Sequence, residues 1–471
     1  MDSSIRRASW ALLVALVIVA VRLGFVVVVR GQYLAGHPRN PRVAMVRRQV
    51  ERGGIYLRGG EVVVKDSSAG GPRLYTGPAS LAHLVGYEDA RYGTAGLECT
   101  YNGLLLGLDR SRSIAGAMKR LLGGEPGRGN DIVLTVDLGI QQAAERAMGG
   151  RQGAVVVFDP RTGAVLAILS NPGFTPGQIS SEWERLTSDS SGPLFNRATL
   201  GLYPPGSVIK PIIAAIALSA RVIDAQDVFR CTGAIKVGTS ADDNREISCP
   251  SRTAHGKVSL ARAIASSCNV AFAQIGWQIG AKQLYNGFRK FGFGESLPFD
   301  VAATAGKLPE DGTFGRARVA QLAIGQGELV VSPLHMAAMM GALAEGGLMR
   351  RPYVVSEVRS PSGETIRRTR SSILGASILP SVARRVKDMM VEAVAQGTAR
   401  AAGIPGVEVA GKTGTAENPH GPPHAWFAGF APASKPSVVV VVIVENGGSG
   451  GKVAAPIARE IMRAALGNSS Q

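Results

Sequence analysis

The chain begins with a long apolar segment, and its pattern of hydrophobic and polar residues then changes twice. Residues 8–29 are apolar apart from Ser9 and Arg22, a length that spans a membrane as one helix. From Gly31 to about Gly150 the pattern is mixed: ERGGIYLRGGEVVVKD predicts a turn-rich pair of strands, and the spacing after Gly96 predicts a helix. The first third of the chain therefore predicts an apolar helix followed by a small mixed domain.

The second change of pattern, near Gly153, predicts the main fold. GAVVVFDPRTGAVLAILSNP has two β-branched runs about a Pro-Arg-Thr-Gly turn, which is typical of a β-hairpin. Helical runs follow, and after Gly406 come three strand-like segments and a closing helix, VAAPIAREIMRAAL. Strands at both ends predict an α/β (α+β) fold in which helices flank a central antiparallel sheet. We expect a tail at 1–7, a membrane segment at 8–29, a smaller domain at 30–150 and the main domain at 151–467.

Composition narrows the function classes. The 471 residues are 45% hydrophobic, which is enough for a large core and more than one domain. The formal net charge of +17 would suit a nucleic-acid-binding protein, but the basic residues are spread out and lack interleaved aromatic residues for base stacking. We predict no nucleic-acid partner, because an anionic cell-envelope surface explains the charge equally well.

Three short polar motifs follow one another along the main domain: Ser207-Val208-Ile209-Lys210, Ser267-Cys268-Asn269 and Lys412-Thr413-Gly414-Thr415. A serine hydroxyl needs a base within hydrogen-bond reach before it can attack a carbonyl. If SVIKPIIAAIALSA opens a helix, residues three apart share a face, which brings the Lys210 amine beside Ser207. The positive end of that helix and the cation of Lys412 both disfavour protonated Lys210, so Lys210 is the predicted base.

The other two motifs each have an ordinary structural interpretation. Ser267-Cys268-Asn269 lies between two helical runs, where Ser and Asn serve as helix caps. Lys412 to Thr415 follows the alternating GVEVAG and predicts the end of a strand near an exposed edge. The order of the three motifs and their fitting secondary structure favour one serine acyl-transfer site over three separate local features.

Two further patterns suggest other chemistry. GVEVAGKT, residues 406–413, fits the phosphate-loop pattern, but the Gly- and Pro-rich TGTAENPHGPPHAW that follows does not form the helix that such a loop requires. GGSGG, residues 447–451, resembles a hydrolase nucleophile elbow. Neither Asp nor His follows it, so a flexible turn between a strand and a helix is the better interpretation.

Cysteine and histidine give no metal pattern by spacing. The four cysteines include no Cys-x-x-Cys pair, and no histidine has a metal-binding spacing, so we predict neither a metal nor a cofactor. Cys231 and Cys249, or Cys249 and Cys268, would form one disulfide in an oxidising compartment, and spacing does not choose between them. Reduced, buried cysteines are an equally good interpretation.

The chain resembles the class B penicillin-binding proteins, and in detail the actinobacterial penicillin-binding protein A group. Beyond the three motifs, the resemblance includes ERGGIY, AGLECTYNGLLLG, FNRAT before LYPPGSVIK, IGQGELVVSPLHMA and KTGTAENPHGPPHAWFAGFAP. These blocks extend over nearly the whole chain. The resemblance implies a peptidoglycan D,D-transpeptidase of growth or division that binds β-lactams.

The resemblance also implies roles for the motif residues. Ser207 would attack the penultimate D-alanine carbonyl of a stem peptide with Lys210 as base, and an amine of a second stem peptide would resolve the acyl-enzyme. Ser267 and Asn269 would relay protons and hold the substrate amide. Lys412, Thr413, Gly414 and Thr415 would bind the terminal carboxylate, and the backbone N–H groups of Ser207 and Thr415 would form an oxyanion hole. The alternatives are a D,D-carboxypeptidase or a β-lactamase that uses the same serine, although the Glu-x-x-Leu-Asn string of class A β-lactamases does not occur between Asn269 and Lys412.

The apolar N-terminal segment is either a retained anchor or a cleaved signal peptide. No small-residue cleavage site follows soon after Val21, which favours the anchor. Five arginines between Arg30 and Arg48 oppose export by the positive-inside rule, but long domains can cross a membrane despite their charge. We therefore predict a single-pass protein of the cell membrane with its catalytic domain outside the cytoplasm, beside division or elongation proteins that include a glycosyltransferase.

Overall fold

A computed structural model of the protein describes residues 2–26, 47–108, 127–238, 245–309, 315–419 and 421–468. The helices are α1 Asp2–Phe25, α2 Ala82–Val85, α3 Gly96–Thr100, α4 Asn102–Leu105, α5 Leu138–Met148, α6 Ile179–Ser188, α7 Lys210–Ser219, α8 Leu260–Ala265, α9 Asn269–Lys290, α10 Arg316–Ala323, α11 Pro333–Ala344, α12 Pro380–Ala395 and α13 Ala454–Asn468. The strands are β1 Ile55–Tyr56, β2 Val62–Asp66, β3 Arg73–Tyr75, β4 Glu88–Asp89, β5 Gly93–Thr94, β6 Asp131–Leu134, β7 Gly153–Phe158, β8 Val165–Asn171, β9 Val228–Cys231, β10 Ala234–Lys236, β11 Glu246–Ser248, β12 Gly256–Ser259, β13 Leu348–Arg350, β14 Val355–Arg359, β15 Thr365–Arg368, β16 Ile373–Ala376, β17 Ala410–Asn418, β18 Gly421–Ala431 and β19 Val438–Val444.

The central sheet joins strands from the two ends of the main domain. Its order is β17-β18-β19-β7-β8, and every neighbouring pair is antiparallel. The hairpin predicted from residues 153–172 is β7 and β8, and the last three strands of the chain complete the sheet. The predicted α/β fold with a central antiparallel sheet is therefore confirmed.

The two faces of this sheet form separate hydrophobic cores. Successive strand residues point to opposite faces, so Val439 and Val441 of β19 pack in one core, and Val440 and Val442 pack in the other. Helices α7, α9, α11 and α12 contribute to the first core, while α5 and α13 contribute to the second. Burial on both faces explains why β19 is a continuous run of Val and Ile rather than an alternating one.

The N-terminal sheet contains strands that are distant in sequence. Its order is β15-β14-β6-β1-β2-β3, and β1 with β2 is the predicted antiparallel strand pair. Strand β6 pairs in parallel with β1 and antiparallel with β14, with Val355 opposite Leu134. Residues 355–368 of the main domain therefore complete the sheet that begins at Ile55.

A buried ion network holds this sheet to the helix that follows it. Arg52 contacts Glu98 at 2.7 Å, and Arg73 contacts Glu98 at 2.8 Å and Asp66 at 3.1 Å. Both carboxylates are fully buried. Removing either arginine would leave the buried Glu98 carboxylate with one arginine partner instead of two, which is destabilising. The network joins ERGG to AGLEC, two of the sequence blocks quoted above.

The N-terminal helix α1 is the one described helix long and apolar enough to cross a membrane. Its apolar part, Ile5–Phe25, has 21 residues and a mean hydropathy of 2.2. The last residues of the predicted anchor at 8–29 lie outside the described residues. Arg30, Arg39 and Arg42 also lie outside them. Arg47 is described, and it pairs with Asp66 and Glu88 at 2.8 and 2.6 Å.

Candidate active site

Ser207 lies on a short turn that leads into a buried helix. Residues Gly206–Ile209 form a 3₁₀ turn directly before α7, and Pro211 occupies the first turn of α7, where no intrahelical hydrogen bond is lost. Gly206 has a positive φ of 53°, which favours glycine, and its N–H donates to the Gly325 carbonyl at 2.9 Å. The predicted helix start is confirmed, with the serine on the turn just before the α-helix.

Strand β17 packs directly against this turn. A Cβ placed on Gly206 would lie 3.2 Å from the Ala416 Cα and the Thr415 carbonyl oxygen. A Cβ on Gly414 would lie 3.1 Å from the Pro205 carbonyl oxygen. The two glycines therefore let the serine turn and the Lys412–Thr415 segment approach closely, which brings the first and third motifs together.

Lys210 is fully buried and points into the second motif. Its Nζ donates to the Ser267 carbonyl at 2.7 Å and to Asn269 Oδ1 at 2.6 Å, and it lies 3.3 Å from Ser267 Oγ. Burial lowers the pKa of Lys210 to about 7, although the nearby Cys268 and Cys249 thiols act against this shift. A substantial fraction of Lys210 is therefore neutral near physiological pH, as a general base requires.

Lys412 is also fully buried and reaches the same serine. Its Nζ donates to Ser267 Oγ at 3.0 Å and to the Thr413 carbonyl at 2.9 Å. Burial and the charge of Lys210 lower the pKa of Lys412 well below its usual range. Among the described residues, no carboxylate forms an ion pair with either lysine. Two unpaired buried cations this close are unfavourable, so the pair binds fewer than two protons near neutral pH.

Ser267 of the second motif contacts both lysines and has an unusual backbone conformation. Ser267 has a φ of 57°, in the left-handed region, and its side chain is almost fully buried. Asn269 begins α9, and its Nδ2 donates to the Ser248 carbonyl at 2.8 Å. Strained backbone of this kind persists where the surrounding contacts fix it, and it is concentrated at functional sites.

The hydroxyl of Ser207 stands apart from this network. Within the described ranges, no hydrogen bond joins Ser207 Oγ to Lys210 Nζ, because the amine donates to Ser267 and Asn269 instead. Such catalytic hydrogen bonds often form only when the substrate closes the site. The structure therefore brings Lys210, Ser267, Asn269 and Lys412 into direct contact and places Ser207 one turn of chain away.

The Lys412–Thr415 motif differs from its predicted position. It lies inside β17, at the sheet edge, and not at the end of a strand: β17 runs on to Asn418, which pairs with Gly421 of β18. The prediction of a strand end was wrong. It interpreted the Gly and Pro residues after Lys412 as a turn, but strands at a sheet edge tolerate these residues. Thr415 is exposed, while the Thr413 hydroxyl donates to Thr398 Oγ1 at 2.9 Å. A strand in this place also excludes the phosphate loop, which needs a helix.

Comparison with known proteins identifies the family. The penicillin binding protein transpeptidase domain matches residues 153–463, and the penicillin binding protein A dimerisation domain matches residues 52–132. The chain belongs to the penicillin-binding protein transpeptidase family. It is 34% identical to the peptidoglycan D,D-transpeptidase PbpA of Mycobacterium tuberculosis, over 99% of each chain.

Solved structures give the same result for this penicillin-binding protein. The crystal structure of PBPA from M. tuberculosis superposes with a TM-score of 0.82 and 32% identity, covering 89% of this chain and 100% of that one. The penicillin G acyl-enzyme complex of penicillin-binding protein A from the same organism has a TM-score of 0.81 and 32% identity, covering 88% of this chain and 99% of that one.

The penicillin-binding protein has a second Ser-x-x-Lys sequence, Ser449 to Lys452, within the Gly-rich turn before α13. Both residues are exposed, so Lys452 keeps its hydration, whereas Lys210 is fully buried. Gly450 of this turn packs against β17 at Gly414. A Cβ on Gly450 would lie 2.2 Å from the Gly414 carbonyl oxygen. The turn lies between β19 and α13, as predicted, and it packs against β17, which the sequence did not predict.

Two groups of residues beside the site were not predicted from the sequence. Glu445, at the end of β19, accepts hydrogen bonds from Arg197 Nε at 2.8 Å and the Tyr203 hydroxyl at 2.6 Å, which fixes the segment before Ser207. The second group is a cluster of four side chains: Cys231, Cys249, His255 and Cys268. The first group could have been found, because Arg197 lies in the FNRAT block and Tyr203 in the LYPPG block. The second could not, because its cysteines are widely spaced in the sequence.

Proposed function

We propose that this penicillin-binding protein cross-links peptidoglycan stem peptides through an acyl-enzyme on Ser207. As a member of its family, the chain is a serine-type peptidoglycan D,D-transpeptidase and is acylated by β-lactams. The observation that carries the residue assignment is the buried network Lys210–Ser267–Lys412, which lacks a carboxylate and lies beside the Ser207 turn. A buried amine of lowered pKa next to a nucleophilic serine is an arrangement suited to acyl transfer.

Acylation begins with attack by the Ser207 hydroxyl on the penultimate D-alanine carbonyl. Neutral Lys210 takes the hydroxyl proton, and the new bond forms between Ser207 Oγ and the carbonyl carbon. The oxygen that gains charge is stabilised by the backbone N–H groups of Ser207 and Thr415, whose segments pack against each other. The proton then passes through Ser267, which both lysines contact, to the nitrogen of the departing D-alanine.

Recognition of the substrate carboxylate falls to the outer side of β17. Thr415 is exposed, so its hydroxyl is free to donate to a carboxylate, whereas Thr413 is buried and its hydroxyl would have to leave Thr398 Oγ1 to do the same. Lys412 contributes positive charge from the buried side of β17, since its Nζ contacts Ser267 and is not exposed. Gly414 keeps the strand close to the serine turn. Asn269, held by Ser248 and Lys210, is the proposed partner of the substrate amide.

The alternatives differ in what resolves the acyl-enzyme. A D,D-carboxypeptidase or a β-lactamase transfers the acyl group to water, whereas a transpeptidase transfers it to an amine. Incubation of the full chain with a D-alanyl-D-alanine stem peptide and an amine-bearing second peptide distinguishes them by mass spectrometry. We expect released D-alanine and a cross-linked product that a Ser207→Ala chain does not form. Release of D-alanine with only the hydrolysed peptide would identify a carboxypeptidase.

We further propose that residues 8–29 are retained as a single membrane anchor and that residues 31–471 lie outside the cytoplasm. The length and apolarity of Ile5–Phe25 support this topology, and the peptidoglycan substrate exists only on the outer side of the membrane. Division or elongation proteins, including a glycosyltransferase, are the expected partners there. The division of the chain near residue 150 stays a prediction, since β14 and β15 also join the N-terminal sheet.

Reporter fusions test this topology. A fusion at the C terminus should be active with a reporter that works only outside the cytoplasm and silent with one that works only inside. The opposite pattern would contradict the topology, because it would keep the enzyme from its substrate. N-terminal sequencing of the membrane-bound protein should find residues of α1; a mature N-terminus after residue 30 would show a signal peptide instead.

A further inference from the structure

A cluster of four side chains lies directly behind the second motif. The sulfurs of Cys231 and Cys249 are 3.6 Å apart, and those of Cys249 and Cys268 are 3.7 Å apart. His255 directs Nδ1 to within 3.4 Å of the Cys231 sulfur. All four ligand atoms lie within 4.8 Å of one another. Three sulfurs and one imidazole nitrogen are therefore close enough together to ligate one ion.

We propose that Cys231, Cys249, His255 and Cys268 bind one structural zinc ion. Zinc prefers four tetrahedral ligands, with Zn–S bonds of about 2.3 Å and Zn–N bonds of about 2.0–2.1 Å. A tetrahedron with such bonds separates two sulfurs by about 3.8 Å and a sulfur from a nitrogen by about 3.6 Å. The Cys231–Cys249, Cys249–Cys268 and His255–Cys231 separations are close to these values, and the other pairs lie within 4.8 Å, so zinc binding needs only small side-chain movements.

The surroundings suit a closed structural site. The three cysteines are almost fully buried, whereas His255 lies at the edge and leaves a path for the ion. Zinc binding displaces the protons of the three thiols to solvent, and the complex of three thiolates, one neutral imidazole and Zn²⁺ has a net charge of −1. A disulfide would use two of the three thiols and would leave the third thiol and His255 without a function.

The four ligands come from separate elements around the catalytic motif. Cys231 ends β9, Cys249 follows β11, and His255 precedes β12, which pairs with β9. Cys268 is the middle residue of Ser267-Cys268-Asn269 and caps α9. Zinc would therefore join the β9–β12 region to the backbone that holds Ser267 at its positive φ and directs Asn269 toward Lys210. Metal binding that orders such a segment contributes directly to folding.

The sequence hid this site because its spacing, Cys-x₁₇-Cys-x₅-His-x₁₂-Cys, lacks the short Cys-x₂₋₄-Cys step common in zinc sites. Folding brings the ligands together through the pairing of β9 with β12, from Val228–Ser259 to Cys231–Gly256. Cys99 lies in α3, apart from the cluster, and provides a matched cysteine control.

The test is the zinc content of the full chain, purified in detergent under reducing conditions in zinc-containing buffer and then freed of loose metal. We expect about one zinc per chain, with X-ray absorption at the zinc edge showing three sulfur ligands and one nitrogen ligand. Cys99→Ser should keep this content, and Cys231→Ser and His255→Ala should each weaken zinc binding by more than about tenfold. The X-ray absorption spectrum of the unaltered chain identifies the zinc ligands even if a variant does not fold.

Three results would overturn the proposal: no stoichiometric zinc in the unaltered chain, a Cys249–Cys268 disulfide in its peptide map, or zinc binding that His255→Ala leaves unchanged. Zinc content is measured without penicillin or peptide. Failure of the zinc site is therefore distinguishable from failure of the transpeptidase assignment.

Discussion

Substitution of Lys210 by Arg should lower the rate constant for acylation of Ser207 by penicillin about 10³-fold. A guanidinium keeps its proton at every accessible pH, so it cannot take the proton from the serine hydroxyl. Lys210→Ala should cause a similar loss, because it removes the amine altogether. A fluorescent penicillin and the purified full chain give the rate constant directly.

The chain offers its own control for this experiment. Lys452 belongs to the second Ser-x-x-Lys sequence but is exposed, so Lys452→Arg should acylate at the wild-type rate. Circular dichroism should show that the Lys210 variants remain folded. If Lys210→Arg were acylated at nearly the rate of the unaltered chain, Lys210 would not be the base.

Acylation should slow about tenfold for each pH unit below pH 7, since only neutral Lys210 accepts the proton. Burial lowers the pKa of Lys210 to about 7, so the neutral amine predominates above that pH and the protonated amine below it. The rate should therefore rise with pH and then level off. Because Lys412 shares Ser267 with Lys210, the midpoint belongs to the pair of lysines and not to one of them.

The measurement is the acylation rate constant across this range, with tryptophan fluorescence to show that the fold persists at the acidic end. A rate that stays constant through pH 7, or that rises as the pH falls, would be incompatible with a neutral lysine as base.

Local patterns were sufficient to predict much of the architecture and the start of the helix that carries Lys210. The hairpin of β7 and β8 followed from two β-branched runs about one turn, and the start of α7 followed from Gly206 and Pro211. These features depend on neighbours in sequence, which is why the sequence alone reveals them. The predicted contact between the Lys210 amine and the Ser207 hydroxyl stays a prediction, since the amine donates to Ser267 and Asn269 in the structure.

Features that depend on distant contacts were not predictable in the same way. The pairing of β14 with β6 needs residues more than two hundred positions apart to meet, and no local pattern marks it. The lowered pKa of Lys210 was expected from the helix end and Lys412, yet its first cause is burial. The Cys and His cluster also needs the pairing of β9 with β12 before its ligands converge.

The most direct test of the central claim is the mass of the full chain after reaction with penicillin G, followed by peptide mapping. We expect one penicilloyl group per chain, on the peptide that contains Ser207, and a long-lived adduct, because among the described residues no carboxylate contacts the Lys210–Ser267–Lys412 network to activate water. Ser207→Ala should remain unmodified. No adduct, an adduct on another residue such as Ser449, or rapid release of hydrolysed penicillin would contradict the account.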